Sequence, residues 1–335
     1  MRTLVLGGTV FLSRAVAEAA RDAGHEVTSL ARGVSGSVPD GVRLVRADRA
    51  EAGAYQELAG ETFDAVVDVA NSLTQVRGAL VALAAHARHW TYVSTCNVYS
   101  DDATPGQRAA TAPLRSPATE DSDDLEQYGA INVACEQATA RAMGTDRTFL
   151  CRPGLIVGPG DTTMRFRYWV NRLAAGGEVL APGAPDRPIQ FIDVRDLARW
   201  IVAAGEQGLT GGYDGIGTPL PMAEALAAIT AGVAGTPTYT WVDQEFLTGH
   251  EVAPWMGPRS LPLWLPEPEY AGFASRDVSD SLAAGLTTRS IADTARDTLA
   301  AEPTAPVPGA GRDAGLTAAD EAELLAAWRN VKSSS

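Results

Sequence analysis

The sequence predicts an α/β protein, with a Rossmann-like, doubly wound parallel sheet and a smaller, irregular α+β lobe. Short apolar segments alternate with helical ones through about the first 150 residues, at the rhythm of β–α–β units. A pair of glycines, at residues 7 and 8, directly follows the first of these apolar segments. After residue 153 the alternation gives way to a stretch rich in Gly, Pro and Trp. Apolar strands of this kind are typical of a parallel sheet that helices cover on both faces.

The predicted elements follow one another in chain order. Six strands are expected in the first region, at residues 4–6, 26–30, 42–45, 65–69, 90–94 and 149–152. Helices are expected at 15–23, at 74–87 and in the segment that contains Tyr128. Further along we predict a strand at 190–194, a helix at 196–204, a strand at 239–242 and a capped helix at 317–331. Right-handed crossovers between the parallel strands give the doubly wound topology.

These elements divide the chain into two predicted parts. Residues 1–152, together with about 189–215, form the parallel-sheet domain, and residues 153–188 and about 216–300 form the smaller lobe. A Pro- and Gly-rich linker is expected at 301–316, followed by a helix and tail at 317–335. The acidic stretch at 101–127 is interpreted as a solvated loop, with a lid or a cation-attracting rim as the alternative.

Composition excludes several classes of protein. An apolar content of 45% and a charged content of 20% are typical of a soluble globular chain. The net charge of −14 argues against binding to nucleic acid, which draws on clustered Lys and Arg. The chain has no run of about 18 apolar residues, no signal-peptide pattern and no metal-ligand spacing of its histidines. We therefore expect a cytoplasmic protein that binds neither a membrane nor a metal. Abundant Arg and Ala suggest a high-GC bacterial genome, and the cysteines are interpreted as reduced core thiols.

The turn after the first strand indicates a nucleotide site. A tight glycine turn lets backbone N–H groups and a helix N-terminus meet a pyrophosphate. The turn and the start of the next helix comprise Gly7, Gly8, Thr9, Val10, Phe11 and Leu12. The second strand ends without a carboxylate for a ribose 2′-hydroxyl, and Arg32 there can pair with a 2′-phosphate. We therefore expect NAD(P) as cofactor, with a preference for NADP(H).

Five ordered segments carry recurring sequence signatures. They lie at residues 7–14, 93–100, 127–136, 152–161 and 191–198. Over about 200 residues this series resembles the extended short-chain dehydrogenase/reductase family, which is NAD-dependent epimerase/dehydratase-like. The resemblance implies a nicotinamide cofactor, a small-molecule substrate held by the smaller lobe and, by analogy, a homodimer. It also implies that Asp48 faces the adenine, that Ala70 passes beside the cofactor and that Pro153 passes the nicotinamide.

The resemblance assigns the chemistry to a Tyr-x-x-x-Lys helix and a Ser/Thr partner. Tyr128 matches the acid/base tyrosine, and Thr95, four residues before Tyr99, matches the hydroxyl that bonds the substrate oxygen. Asn132 stands where the family has its lysine, and the one lysine of the chain is Lys332. Residues four apart on a helix share a face, so the family's lysine brings its positive charge to the phenol.

Asparagine cannot supply that charge. A nearby cation lowers the pKa of a tyrosine from about 10 toward the working pH, whereas an amide only exchanges hydrogen bonds. Asn132 can therefore keep the family's ribose contact without activating Tyr128, unless an arginine from elsewhere provides the charge. Candidate substrate contacts are Cys96, Asn97, Tyr99, Arg165 and Arg167. Alternatively, Arg165 and Arg167 are ordinary surface residues on an exposed helix face.

Three functions compete at this point. The leading hypothesis is an NAD(P)-dependent oxidoreductase or epimerase that acts on a hydroxyl or keto carbon of a small polar metabolite. The alternative keeps the fold for a non-redox lyase, isomerase or cyclase, for instance in secondary metabolism, with nicotinamide absent or structural. Asn132, and the branched Val10 in the turn, favour that alternative. A third hypothesis is a cofactor-sensing regulator without turnover.

Overall fold

A computed structural model describes residues 1–301 and 314–334 of the chain. Its strands are β1 (Arg2–Leu6), β2 (Glu26–Ala31), β3 (Arg43–Arg46), β4 (Phe63–Asp68), β5 (Ala87–Val93), β6 (Thr148–Pro153), β7 (Ile156–Val157), β8 (Gly177–Pro182), β9 (Pro188–Ile189), β10 (Ile192–Asp193), β11 (Gly211–Gly215), β12 (Leu220–Pro221), β13 (Pro237–Val242), β14 (Ala253–Pro254) and β15 (Ser260–Leu261). Its α-helices are α1 (Phe11–Asp22), α2 (Leu73–Leu83), α3 (Tyr128–Met143), α4 (Arg165–Ala175), α5 (Val194–Gln207), α6 (Met222–Val233), α7 (Gln244–Gly249), α8 (Ser279–Ala283), α9 (Ile291–Ala300) and α10 (Ala318–Ser334).

Seven strands form one parallel sheet. Their order is β11-β6-β5-β4-β1-β2-β3, and each neighbouring pair is parallel. The order of strand succession reverses between β1 and β4. Open α/β sheets bind ligands at the carboxyl ends of their strands beside such a reversal. The doubly wound α/β fold expected from the sequence is confirmed.

Helices cover both faces of this sheet. α1 packs against α5 on one face, and α2 packs against α3 on the other, each pair burying an apolar cluster against the strands. The strands between them are apolar on both faces, as the sequence predicted. Within the described parts of the chain, no helix has the length and apolar character needed to cross a lipid bilayer.

A further apolar cluster lies away from the sheet. It joins α4, β8, α6 and β13, and it includes the fully buried Trp169 and Trp264. Leu324 and Trp328 of α10 pack into the same cluster, so the predicted terminal helix contacts the smaller lobe. The predicted linker at 301–316 falls mostly on residues 302–313, which lie outside the described chain. The predicted division into two parts stays a prediction.

Two features differ from the sequence-based expectations. Helix α1 begins at Phe11 and not at residue 15, so the helix starts immediately after the glycine turn. The seventh strand, β11, was not predicted, because glycine disfavours strands and three of its five residues are glycine. Arg152, on the neighbouring strand β6, packs closely on one of these glycines: a Cβ at Gly212 would lie 3.3 Å from its guanidinium carbon.

The acidic stretch at 101–127 is only partly a solvated loop. Backbone hydrogen bonds tie it to the smaller lobe, from Gly106 to Ser275, from Gly272 to Asp102 and from Asp277 to Gln107. The carboxylate of Asp121 accepts hydrogen bonds from the backbone amides of Leu73 and Thr74, at 2.6 and 3.0 Å. The stretch therefore caps α2 and is hydrogen-bonded to residues 272–277.

Candidate active site

The glycine turn leaves an open helix N-terminus at the reversal point of the sheet. Gly7 and Gly8 have φ of +135° and +101°, and a Cβ on Gly8 would lie 2.2 Å from Ser29 Oγ. Only glycine fits there. Val10 is the N-cap of α1, in extended conformation, and offers no side-chain acceptor to the first amides of the helix. A pyrophosphate is an acceptor that suits these amides, so the predicted cofactor turn fits a dinucleotide.

A cavity of about 370 Å³ lies beside this turn, at the ends of β1 to β4. Its predicted lining residues are Gly7, Thr9, Val10, Arg32, Asp48 and Ala70. Arg32 is exposed at the end of β2. Gly8 and Phe11 do not line this cavity: Gly8 packs on Ser29, and Phe11 lies near Gly160.

Two further arginines stand near this cavity, and the sequence analysis missed both. Arg49 lines it, but its guanidinium forms a bidentate pair with the fully buried Asp68, at 2.7 and 2.8 Å. Its charge is therefore compensated. Arg46 of β3 reaches over Gly33, where a Cβ would lie 2.2 Å from Arg46 Nη1. The end of β2 thus brings Arg32 and Arg46 close to each other.

A second cavity, of about 270 Å³, adjoins the first through Val10 and Val69, which line both. Its lining includes Leu12, Thr95, Tyr128, Asn132 and Pro153. The structure therefore brings together the three residues predicted to carry the chemistry. Thr95 follows the end of β5, Tyr128 begins α3, and Asn132 lies in the second turn of α3. The two adjoining cavities, which lie along the carboxyl ends of the strands, are together called the groove.

The amide of Asn132 is held from both ends. Its Nδ2 donates to the backbone oxygen of Tyr128 at 2.9 Å, and its Oδ1 accepts from the hydroxyl of Tyr92 at 2.8 Å. Asn132 is 1% exposed, and Tyr92 is fully buried. Burial raises the pKa of the Tyr92 hydroxyl well above its ordinary value, so the group stays protonated and can donate. Tyr92, three residues before Thr95 in the chain, was not predicted as part of the site.

Thr95 is oriented to donate a hydrogen bond. Its Oγ1 accepts from the backbone amide of Asn97 at 3.1 Å and from Asn97 Nδ2 at 3.0 Å. These contacts use both lone pairs of the hydroxyl and leave its hydrogen for an acceptor such as a substrate oxygen. Asn97 therefore supports Thr95 through its amide.

None of the five predicted substrate contacts lines either cavity, and three of them turn into the interior. Cys96 is buried and donates its S–H to the backbone oxygen of Arg152, and burial together with Asp214 raises the pKa of its thiol well above the ordinary value. The Tyr99 hydroxyl donates to the buried Asp214 at 2.5 Å. Arg167, 4% exposed, donates to the backbone oxygen of Ala301. Sequence spacing could not show that these side chains turn into the interior.

Two other arginines line neither cavity but have defined contacts. The guanidinium of Arg165, at the start of α4, lies 5.0 Å from the ring centre of Trp255. Arg115, in the acidic stretch, donates to the backbone oxygen of Asn97 at 2.8 Å. Its Cδ would lie 2.8 Å from a Cβ on Gly129, the residue after Tyr128. Arg115, which also pairs with Asp102 at 3.2 Å, is thus a cation that the fold brings to the start of α3.

A buried ion pair fixes α3 against the sheet. Arg152 of β6 binds both carboxylate oxygens of Glu136 at 2.9 and 2.8 Å, with side chains 7% and 4% exposed. Glu136 is one turn of α3 beyond Asn132, so this pair sets how the helix presents Tyr128 and Asn132 to the groove.

Comparison with known proteins agrees with this geometry. The family model described as "NAD dependent epimerase/dehydratase family" matches residues 3–214, which include the whole glycine turn and the catalytic helix. The chain belongs to this family, as the sequence resemblance implied.

Individual relatives cover different parts of the chain. The 2′-dehydrokanamycin reductase of Streptomyces kanamyceticus is 32% identical over 204 residues, or 60% of this chain and 53% of the relative. The chain thus spans about half the length of that curated relative. A putative epimerase from Burkholderia cenocepacia has a TM-score of 0.67 at 20% identity, over 89% of this chain and 97% of its own.

Sugar-nucleotide epimerases are also among the similar structures. UDP-N-acetylglucosamine 4-epimerase from Bacillus cereus has a TM-score of 0.65 at 18% identity, over 90% of this chain and 96% of its own. UDP-glucose 4-epimerase from Thermus thermophilus, in complex with NAD, has a TM-score of 0.62 at 20% identity, over 90% of this chain and 98% of its own. At these identities the likeness shows the fold.

Proposed function

We propose that this protein transfers hydride between NADP(H) and a hydroxyl-bearing or keto carbon of a small polar metabolite. The observation that carries the proposal is that the cavity beside the glycine turn adjoins the one lined by Thr95, Tyr128 and Asn132. A dinucleotide in the first cavity would extend toward the second. The reductase named among the relatives supports the reducing direction.

Each residue of the second cavity has a role in this reaction. The phenol of Tyr128 exchanges a proton with the substrate oxygen, while the Thr95 hydroxyl donates a hydrogen bond to the same oxygen. The second Nδ2 hydrogen of Asn132 can reach a ribose hydroxyl, because the first is used by the Tyr128 carbonyl. The nicotinamide, when bound, supplies or accepts the hydride.

The preference for NADP(H) rests on charge. β2 ends in Ala31, followed by Arg32, and neither offers a carboxylate to a ribose 2′-hydroxyl. Arg32 and the neighbouring Arg46 instead provide two guanidinium groups, which bind a 2′-phosphate well.

The second candidate function is non-redox turnover in the same cavity. It is favoured by one observation, the neutral Asn132 amide in the place of the family's lysine. Such an enzyme would convert its substrate without nicotinamide, and added NADPH would leave the rate unchanged.

Tyr128→Phe tests the proposal. Keto-sugars, both free and phosphorylated, would be assayed with NADPH that carries deuterium at the transferable position. We expect deuterium in the product with the native chain and at least a hundredfold lower kcat in Tyr128→Phe. Tyr239→Phe, in β13 outside both cavities, is the matched control. Turnover without deuterium transfer, or an unchanged rate in Tyr128→Phe, would refute hydride transfer by this site.

A further inference from the structure

The wall that the two cavities share is a short segment of backbone beyond β4. Val69 lines both cavities, Ala70 lines the first, and Asn71 lines the second. These three residues lie outside the helices and strands, between the end of β4 and the start of α2. Regular secondary structure does not hold the segment, so its position depends on individual hydrogen bonds.

The backbone of Ala70 is held at both of its polar atoms. Its amide donates to Oδ1 of Asp68 at 3.0 Å, and its carbonyl oxygen accepts from the Tyr92 hydroxyl at 3.1 Å. The same hydroxyl lies 2.8 Å from Oδ1 of Asn132. Ala70 thus stands between a buried carboxylate on one side and, through Tyr92, the amide of Asn132 on the other.

Asp68 is itself oriented by one arginine. Its fully buried carboxylate accepts from both terminal nitrogens of Arg49, at 2.7 and 2.8 Å. Arg49 also donates to the hydroxyl of Tyr55 at 3.1 Å and to the backbone oxygen of Gln75, in the first turn of α2, at 3.0 Å. A bidentate pair fixes the plane of a carboxylate as well as compensating its charge. Arg49 therefore determines where Asp68 offers an acceptor to the Ala70 amide.

We propose that Arg49 and Asp68 are positioning residues, which place the amide of Asn132 against the nicotinamide ribose. They act through the Ala70 peptide and the Tyr92 hydroxyl. The inference deepens the proposed function and rests on it, because its end point is the ribose contact of Asn132. Arg49 lines the first cavity and Asn132 lines the second, so this chain of hydrogen bonds spans the groove.

A double-mutant cycle of Asp68→Asn and Asn132→Ala, with the dissociation constant of NADPH measured by calorimetry, tests this chain of contacts. Asparagine at position 68 keeps the size of the side chain but loses the ion pair. We expect Asp68→Asn to weaken NADPH binding about tenfold in the native background and less than about twofold in the Asn132→Ala background, where the amide that it positions is gone. Equal factors in the two backgrounds would overturn the proposal, since a merely structural role weakens binding in both alike.

Two further variants protect this test. If Asp68→Asn fails to fold, Arg49→Lys takes its place in the cycle, because lysine keeps the charge beside Asp68 but not the bidentate contact. Asp196→Asn is the matched control: Asp196 is also a buried carboxylate, 1% exposed, but it pairs with Arg199 and Arg289 and lines neither cavity of the groove. It should change the NADPH dissociation constant by less than about twofold.

Adenosine 2′,5′-bisphosphate is the matched probe, because it carries the adenine end of the cofactor without the nicotinamide ribose. The same cycle should give equal factors with this fragment, and coupling with it would overturn the route through Asn132. The binding cycle does not require turnover. Coupling in a protein that transfers no deuterium would refute hydride transfer alone, whereas deuterium transfer without coupling would refute the positioning role alone.

Discussion

The hydroxyl of Tyr92 lies 2.8 Å from Oδ1 of Asn132, and this contact joins β5 to the catalytic helix α3. The Tyr92 hydroxyl has one hydrogen and two acceptors within reach, Asn132 Oδ1 and, at 3.1 Å, the backbone oxygen of Ala70. An ammonium group at position 132 could not accept that hydrogen, so the hydroxyl would then donate to Ala70 alone. Asn132 is therefore part of a neutral hydrogen-bonded arrangement.

Tyr92→Phe should loosen Asn132. The variant leaves a buried acceptor without its donor, so we expect the free energy of unfolding to fall by about 1–3 kcal/mol. The KM for NADPH should rise more than kcat falls, because the ribose contact depends on the orientation of the amide. Urea unfolding measures the change in stability, and steady-state kinetics measure KM and kcat. Tyr213→Phe is the control, since its partly buried ring also packs on aromatic neighbours, Phe149 and Trp200. An unchanged KM in Tyr92→Phe would contradict the ribose contact.

Asn132→Lys should not restore a better enzyme. It breaks both hydrogen bonds of a side chain that is 1% exposed and brings in a charge, so we expect about 3 kcal/mol of lost stability. The new cation favours the phenolate of Tyr128, so ketone reduction should fall off at lower pH than in the native chain. Asn132→Ala removes the same bonds without adding charge and should leave the pH profile in place. Urea unfolding measures the stability of the two variants, and pH–rate curves measure the shift of the profile. Higher stability in Asn132→Lys than in the native chain would contradict the predicted loss.

Arg32→Ala should change the cofactor preference. Loss of a charge-assisted hydrogen bond to the 2′-phosphate corresponds to about 1.5–3 kcal/mol, or at least a tenfold higher KM for NADPH. The KM for NADH should stay nearly constant. Arg43→Ala is the matched control, because Arg43 is also an exposed arginine at this edge of the sheet but pairs with Glu61. Equal effects of Arg32→Ala on both cofactors would place the phosphate elsewhere.

Asp121→Ala should destabilise the protein in a pH-dependent way. Burial raises the pKa of Asp121, but its hydrogen bonds from Thr74, Leu73 and Ser72 outweigh this, and the pKa lies below 3.8 in the folded state. The stabilisation is thus present above pH 3.8 and is lost as the pH falls through the folded-state value. We expect a loss of about 1 kcal/mol at neutral pH from the missing helix cap.

Urea unfolding of Asp121→Ala at neutral and acidic pH measures this difference. Asp123→Ala, an exposed carboxylate of the same stretch, should change stability little at either pH. A deficit for Asp121→Ala that does not shrink on acidification would show that the carboxylate is not the stabilising group.

The three cysteines should be unreactive in the folded protein. Burial raises the pKa of all three thiols, that of Cys135 to about 12. Iodoacetamide at about pH 8 should therefore modify them only after unfolding. A folded-state pKa above the unfolded value of 9.0 also means that stability is lost as the pH rises beyond 9.0. Mass spectrometry of alkylated protein checks the labelling, and rapid modification of folded Cys96 would contradict its buried position.

Local sequence patterns predicted the sheet but not its full extent. The apolar runs of β1, β4 and β5 carry their own signal, because each strand is buried on both faces. β11 carries none: three of its five residues are glycine, and the close approach of Gly212 to Arg152 is a long-range contact. The sequence pattern also placed the start of helix α1 four residues too late, at residue 15 and not at Phe11.

Local sequence patterns likewise predicted only part of the candidate site. Signature spacing placed Thr95, Tyr128 and Asn132 in one cavity, since their spacing in strand and helix fixes their direction. It could not find Tyr92, which is 40 residues from Asn132 in the chain. Nor could it show that Arg167 is buried while Arg115 reaches the catalytic helix, because these depend on how the lobe packs.

The single lysine of the chain has a practical consequence. Lys332 lies on α10, with its ammonium 4.6 Å from the ring centre of Trp328, and it lines neither cavity of the groove. Amine-directed reagents therefore find one side chain and the amino terminus, and a dye or surface tether can be attached without touching the nucleotide groove. A lysine introduced at position 132 would be the one amine within that groove. Isotope-labelled lysine would then give two resonances, one from the tail and one that reports the protonation state of the cavity directly.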